Sequence, residues 1–244
     1  MLKTVLYDDN QIQWIVFGRD PEKNNSVIDT NEYMILVKDQ GMILDPGGIE
    51  IFPAVLTAVT EIIPIQNIKY YLSSHQDPDI MSSLPLWLGL TPNANIYMSW
   101  LWSSFIAHFG SEYTTNFVLL PDEGMQFEWE EKKFEFVPAH YCHSSGNFNF
   151  FDHTSKILFT GDLGAALVPP NQPIFVENFE NHIPYMEKFH QRWMPSNSAK
   201  NRWVNRVRKL NPTMLCPQHG SIFKGENVKF FLDWLEDLEV GKAK

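Results

Sequence analysis

The sequence is poor in cysteine and lacks long apolar runs. Its 244 residues include only Cys142 and Cys216, which excludes a disulfide framework and favours reduced thiols over a single bridge. No apolar run approaches the roughly 20 residues that cross a bilayer, and the first residues, MLKTVLYDDN, lack the apolar stretch of a signal peptide. We therefore expect a cytoplasmic protein without a membrane segment.

Basic residues are also scarce. The chain has 19 Lys and Arg against 29 Asp and Glu, which gives a net charge of -10. The resulting field repels phosphate backbones and anionic lipid headgroups. We therefore expect neither nucleic acid nor a membrane surface as a partner.

Aromatic side chains, in contrast, are abundant. With 18 Phe, 8 Trp and 8 Tyr the chain can fill one large core. No internal repeat, low-complexity segment or long linker divides it. We expect a single domain over residues 1–244.

Apolar periodicity predicts strands followed by helices, twice over, which suits two sheets with helices outside. The first strands end in a hairpin whose turn is predicted at Gln40 and Gly41, and a helix is predicted over 50–63. A buried strand then leads into His75. The later predictions are a helix over 79–90, paired strands over 125–140, a hairpin over 148–162, helices between 180 and 210, a strand over 213–219 and a last helix from about 225.

Three histidines and three aspartates occur where predicted strands end. In H-Q-D-P-D the turn lets alternate side chains converge, and Pro78 stiffens it. Asp77 alone could be a turn residue before proline, and Asp79 alone a helix N-cap. The whole set is nevertheless typical of residues that bind two metal ions directly, with Asp162 between the ions. The six residues are His75, Asp77, Asp79, His143, Asp162 and His219.

These motifs resemble the metallo-β-lactamase superfamily over almost the whole chain, and more narrowly its flavodiiron branch and the stand-alone oxygen-binding diiron proteins. The Asp45 to Gly47 turn, the H-x-D-x-D motif, a His, an Asp and a late His before Gly follow in the family's order. The resemblance implies an α/β fold, an αββα sandwich of two mixed β-sheets with helices on the outer faces.

Two departures from the zinc hydrolases matter. Those enzymes usually carry histidine at the position of Asp77 and another directly after that of Asp79, where this chain has Ile80. The carboxylate of Asp77 makes the ligand set harder, which favours iron or manganese over zinc. The absence of a histidine at Ile80 either opens a coordination position for O2 or weakens the second metal site.

The resemblance implies a non-haem diiron protein that binds dioxygen as a peroxo-type adduct. Its two iron ions would be bridged, with manganese or zinc as substitutes, and no FMN or flavodoxin domain is expected in this chain. A sensor of oxygen or iron coupled to a chemotaxis receptor and kinase is the first hypothesis, by analogy. An O2 or NO reductase with a separate flavin or rubredoxin-type electron donor is the second, and a zinc-dependent hydrolase the third. A homodimer is also expected from the relatives.

Other residues near the motifs have two readings each. His140 competes with His143 for the central ligand position; the spacing to Asp162 favours His143, which leaves His140 to line the pocket. Cys142 is either a redox-active thiol or, more commonly, a packed core residue.

Three further patterns favour ordinary structural roles. The aromatic stretch YMSWLWSSFIAHF is either a lid or, by preference, an amphipathic helix that buries Trp100, Leu101 and Phe105. His182 and His190 have no spacing that ties them to the six residues, so core or solvated roles are expected. The basic run KNRWVNRVRK predicts one solvated helix face.

Overall fold

The fold is described from a computed structural model of the chain, over residues 1–18, 28–106, 108, 116–170 and 172–242. It divides into two compact units, Met1–Pro121 and Asp122–Lys244. Each unit contains one mixed β-sheet with helices packed against it. The predicted α/β class with two mixed sheets is confirmed.

The first unit has a seven-stranded sheet whose strands lie in chain order. Its first four strands are antiparallel neighbours and the last four are parallel neighbours. The strands are β1 (Leu2–Asp8), β2 (Ile12–Gly18), β3 (Asn31–Val37), β4 (Gln40–Leu44), β5 (Ile68–Ser73), β6 (Asn95–Ser99) and β7 (Phe117–Leu120). The helices are α1 (Phe52–Thr60), α2 (Pro78–Met81), α3 (Leu84–Leu90) and α4 (Ser103–Ile106), with 3-10 turns at Ile65–Asn67 and Trp100–Trp102.

Helices α1 to α3 cover one face of this sheet. Val55 and Val59 of α1 and Trp87 of α3 pack in one buried cluster with strand residues such as Ile43 and Ile96. Apolar side chains at 3.6-residue spacing therefore place α1 as predicted. The helix is shorter than predicted, because only Phe52–Thr60 is helical.

The hairpin turn is not where the sequence predicted it. Strand β3 ends at Val37 and β4 begins at Gln40, so the turn is Lys38 and Asp39, with Lys38 in the left-handed region at φ +56°. Gly41 lies inside β4, where an added Cβ would come within 2.5 Å of Ile68 Cδ1. This glycine permits close side-chain packing and was wrongly taken as a turn signal.

The second unit has a six-stranded sheet in the order β13-β12-β11-β10-β9-β8, in which β11 and β12 are parallel and the other neighbouring strands are antiparallel. Its strands are β8 (Met125–Trp129), β9 (Lys132–Pro138), β10 (Phe148–Asp152), β11 (Ile157–Gly161), β12 (Met214–Pro217) and β13 (Phe223–Lys224). Its helices are α5 (Phe179–Trp193), α6 (Asn197–Leu210) and α7 (Glu226–Asp237). The predicted strand pair, hairpin and helices of this half are confirmed.

Alternation along β9 and β10 sorts the core of this unit onto two faces. Val137 and Phe151 pack with α5, α6 and α7. Phe134, Phe136 and Phe150 point the other way and form an aromatic layer, in which the Phe134 and Phe150 rings stack at 5.3 Å. The aromatic residues that are abundant in the sequence thus build the core.

Two structural expectations were wrong. Trp100 is 50% exposed and Phe105 is 64% exposed, so the stretch after β6 does not bury them as an amphipathic helix; Ala107 and Phe109 lie outside the described residues. In α6, Lys200 is buried rather than solvated, since its Nζ donates to the carbonyls of Leu235, Glu236 and Leu238.

Both cysteines are free and buried, which confirms the expected reduced thiols. In the described part of the chain, no helix has the length and apolar character that crossing a bilayer requires.

Candidate metal centre

In the first unit, β5 ends at Ser73, two residues before His75 begins the H-Q-D-P-D motif. The Nε2 atom of His75 lies 3.5 Å from Oδ2 of Asp77. The imidazole is fully buried, whereas the side chain of Asp77 is 27% exposed. The turn therefore brings one imidazole and one carboxylate together at the carboxyl end of a strand.

A buried relay orients His75. Ser74 donates its backbone N–H to Oδ1 of Asp45 over 2.7 Å and its hydroxyl to Oδ2 over 2.6 Å. The Ser74 oxygen then accepts from Nδ1 of His75 over 2.9 Å. Because the hydroxyl proton is used on Asp45, this network assigns the His75 proton to Nδ1 and leaves the Nε2 lone pair facing Asp77.

The residues after Asp77 begin a short helix. Asp79 is half-buried in the first turn of α2. Ile80 is fully buried in the hydrophobic cluster that α1 and α3 share, and its carbonyl accepts from Gly47 N over 2.8 Å. The side chain that replaces the hydrolases' histidine is therefore a core residue of this unit.

In the second unit, the Asp162 carboxylate lies between two histidines. Its Oδ2 is 3.4 Å from Nε2 of His143, and its Oδ1 is 3.5 Å from Nε2 of His219. All three side chains are almost completely buried. Each oxygen of one carboxylate thus faces a different imidazole.

Backbone hydrogen bonds hold the Asp162 and His219 turns side by side. Gln218 N donates to Gly161 O over 2.8 Å, and Ala166 N donates to His219 O over 3.2 Å. Gly220 has φ +83°, and an added Cβ would lie 2.7 Å from both Cβ and O of Ala166. A glycine is required after His219 because the two turns approach so closely.

His143 is held in an uncommon conformation. Its φ is +87°, in the left-handed region that costs a non-glycine residue about 1–2 kcal/mol. Its ring stacks on Phe189, with centroids 5.6 Å apart and planes within 9°, and on Trp193 at 5.0 Å. Surrounding packing compensates for the backbone strain.

The structure separates His140 from His143. His140 Nε2 lies 2.8 Å from the carbonyl oxygen of Asp122, and its ring packs edge-on against Phe148. Cys142 belongs to the hydrophobic cluster of the second unit, and burial raises the pKa of its thiol to about 12. Such a thiol is protonated and unreactive at neutral pH, which supports the packing role.

Sequence reasoning missed two supports of these residues. No sequence pattern marks Ser74 as a support of the site, apart from its position directly before His75. His190 is fully buried, and it accepts from Gly164 N, two residues after Asp162, over 2.9 Å. Its contact spans 26 residues of sequence, so no local pattern could reveal it.

The donor set within each unit fits metal binding. Ligand atoms about 2.1 Å from one ion and at right angles lie about 3 Å apart, close to the imidazole–carboxylate separations of 3.4 and 3.5 Å. Buried imidazole and carboxylate groups suit iron. A buried aspartate with both oxygens so placed can bridge two ions.

Comparison with known proteins identifies the family of this chain. The family model described as ODP family beta lactamase matches residues 28–220. No match was found among curated proteins.

Solved structures extend the likeness to almost the whole chain. The peroxy diiron species of the chemotaxis sensor ODP is 40% identical, with a TM-score of 0.89 over 98% of this chain and 96% of that chain. The apo state of the chemotaxis sensor ODP from T. denticola is also 40% identical, with a TM-score of 0.86 over 98% and 95%. A flavo di-iron protein mutant from Thermotoga maritima shares the fold at 19% identity, with a TM-score of 0.81 over 96% of this chain and 60% of that chain. The predicted metallo-β-lactamase fold is confirmed, and the chain belongs to the ODP family of β-lactamase-fold proteins.

Proposed function

We propose that this chain is a non-haem diiron protein that binds dioxygen and acts as an oxygen sensor. The observation that carries the proposal is the Asp162 carboxylate, whose two oxygens face His143 and His219 at 3.4 and 3.5 Å. That arrangement suits a carboxylate shared by two ions. The 40% identical relative is a chemotaxis sensor with a peroxy diiron species.

The proposed ligand set is rich in carboxylates. Three imidazoles and three carboxylates form a harder set than the histidine-rich sites of zinc hydrolases, which favours iron. The assignment of Asp79 rests on the H-x-D-x-D pattern, and that of His143 over His140 is supported by its approach to Asp162. The proposed set is His75, Asp77, Asp79, His143, Asp162 and His219.

Ferrous ions would supply the reducing equivalents that dioxygen binding requires. The protein's part is to orient the ligands and to exclude water. Ser74 and Asp45 hold His75 with its Nε2 lone pair available, and Phe189 and Trp193 cover the His143 ring. Near-complete burial of Asp162 and His219 removes competing water from their ligand atoms.

The sensor role extends the function of the relative to this chain. It implies a protein partner of the chemotaxis receptor and kinase type, in the cytoplasm, and a homodimer as the assembled form. A reductase of O2 or NO would instead need electrons from a separate donor. The two roles differ in the lifetime of the oxygen complex, which the following experiment measures.

The test is anaerobic reconstitution with ferrous iron. Metals per chain are counted by elemental analysis, and the visible spectrum is recorded as air is admitted. We expect two irons per chain and a new charge-transfer band that persists without an electron donor.

Three outcomes contradict parts of the proposal. Zinc retained in preference to iron, without a spectral response to oxygen, favours the hydrolase. A band that decays at once and returns with each addition of reductant favours a reductase. In a second ferrous sample that receives NO in place of air, a spectral response to NO without one to O2 would identify NO as the ligand that is sensed.

A further inference from the structure

The second half of α5, residues 186–193, contacts the ring of His143 and the turn that follows Asp162. His190 is completely buried on this helix. Its Nδ1 donates to the Met186 carbonyl over 2.8 Å, so its Nε2 can accept from Gly164 N over 2.9 Å. The proton is therefore on Nδ1, and the ring is neutral.

The contact with Gly164 fixes the turn that carries Asp162. Gly164 has φ +94°, and an added Cβ would lie 2.9 Å from Phe223. Its N–H is buried, and His190 is the acceptor that keeps this donor satisfied. A displaced Gly164 would move the chain two residues after the carboxylate that faces His143 and His219.

One helical turn also holds the His143 ring. Phe189 and Trp193 are four residues apart on α5, so they lie on the same side of the helix. Both rings stack on His143, and their own centroids are 6.1 Å apart. Trp193 is 52% exposed although it covers a buried imidazole.

We infer that residues 186–193 of α5 form a positioning element for the metal ligands, in which His190 sets the Asp162 turn and Phe189 with Trp193 sets the His143 ring. The inference deepens the proposed function and rests on its metal site. Groups that orient metal ligands typically change affinity by about 10- to 100-fold when they are removed. Burial lowers the pKa of His190 to about 4, which keeps the ring an acceptor at neutral pH.

The first test replaces His190 in two ways. His190→Phe keeps an aromatic ring but removes the acceptor for Gly164 N–H. His190→Gln keeps an acceptor for Gly164 and a donor for the Met186 carbonyl. With Fe²⁺ alone as the probe, under anaerobic chelator competition, we expect about 10- to 100-fold weaker binding for His190→Phe and recovery of most of that loss for His190→Gln.

A matched control separates positioning from stability. Trp203→Phe removes a buried hydrogen bond, from Nε1 to Asn149 Oδ1, in the same hydrophobic cluster. It should lower the free energy of unfolding of the metal-free protein without changing Fe²⁺ affinity. Equal loss of affinity in Trp203→Phe and His190→Phe would overturn the positioning role.

The second test replaces Trp193, which stacks on His143. Because Trp193 is half-exposed, its replacement should not prevent folding. Trp193→Ala should weaken Fe²⁺ binding, whereas Trp193→Phe should retain most of it. If His190→Phe does not fold, this pair decides the question alone. Wild-type affinity in Trp193→Ala and in every folded His190 variant overturns the inference, whereas a wild-type chain that takes up no Fe²⁺ contradicts the proposed function itself.

Discussion

Asp162 is the residue on which His143 and His219 converge, and its replacement tests the bridging assignment. Asp162→Ala removes both oxygens that face the imidazoles. We expect the variant to lose both irons, because a shared ligand contributes to each ion. Elemental analysis after anaerobic reconstitution measures the loss.

Asp122→Ala is the control for this change. Asp122 also lies beside a histidine of the second unit, His140, at 3.8 Å. It should keep two irons per chain. Retention of both ions by Asp162→Ala would end the bridging assignment.

Ser74 tests the relay to His75. Ser74→Ala removes the hydroxyl that joins Asp45 to Nδ1 of His75. We expect Fe²⁺ affinity to fall by about 10-fold or more, since the imidazole loses the partner that fixes its proton. Urea unfolding should show a loss of about 1–3 kcal/mol from the unsatisfied buried groups.

The neighbouring Ser73 offers a close comparison. Its side chain is equally buried, and its hydroxyl has no hydrogen-bond partner among the described residues. Ser73→Ala should therefore leave Fe²⁺ affinity unchanged. A similar drop in both variants would mean that the strand end, and not the hydroxyl, controls the site.

The sequence predicted the residues with the strongest chemistry and missed their supports. Asp162 was recognisable because an aspartate at a strand end follows the family's order. The contact between Asp45 and Ser74 joins residues that are 29 apart in sequence. The Ser74 hydroxyl reaches Asp45 only when β4 and β5 are paired. The proposed ligands have a local sequence pattern, whereas the groups that orient them depend on tertiary structure.

At the scale of elements, Lys200 links α6 to the end of α7. Its ammonium donates to three carbonyls at 2.5 to 2.7 Å, where a cation also interacts favourably with the helix dipole. Lys200→Met nearly keeps the length of the side chain but leaves these carbonyls without a hydrogen-bond donor. We expect a loss of about 2–3 kcal/mol in urea unfolding.

Lys209→Met provides the charge-matched comparison, because Lys209 is exposed on the same helix. It should change stability by less than about 0.5 kcal/mol. Equal effects would show that net charge, rather than the cap, is responsible. The basic run of α6 was predicted to be one solvated helix face, because the carbonyls that accept from Lys200 lie 35 or more residues away in sequence.

His190 gives α5 a dependence on pH. Burial lowers the pKa of His190 from 6.5 to about 4. The hydrogen bond to Met186 and the charge of Asp162 raise the pKa, but by less than burial lowers it. The nearby His143 and His182 lower it further. The unfolded chain therefore binds a proton below pH 6.5 that the folded chain does not bind until about pH 4. Stability should fall as the pH decreases through this window, by up to about 3 kcal/mol.

The measurement compares urea unfolding of the metal-free wild type and His190→Gln from pH 7 to pH 4. Other titrating groups contribute equally to both proteins, so their difference isolates His190. Parallel pH profiles would contradict the neutral buried histidine.

At the scale of the whole molecule, the proposed ligands couple metal binding to folding. Fe²⁺ at 100 times its Kd should raise the free energy of unfolding by about 2.7 kcal/mol for each ion bound, if the unfolded chain does not bind it. Thermal unfolding with and without Fe²⁺, under anaerobic conditions, measures the shift. Asp162→Ala should show almost none, and an equal shift in that variant would indicate binding elsewhere.

Two sheets with helices outside followed from the order of strands and helices, whereas the αββα class with mixed sheets followed from the family resemblance. Boundaries were less predictable: Gly41 was read as a turn residue although packing against Ile68 requires it inside β4. One domain over residues 1–244 remains a prediction. A single unfolding transition in the thermal experiment would support it.

The buried thiols have a practical consequence for labelling. Cys142 and Cys216 are both inaccessible, and burial raises the pKa of each thiol above its ordinary value. A maleimide reagent should leave the folded chain unmodified. A cysteine introduced at the exposed Lys229 of α7 would then be a unique attachment point for a fluorophore or spin label, with both native cysteines left in place.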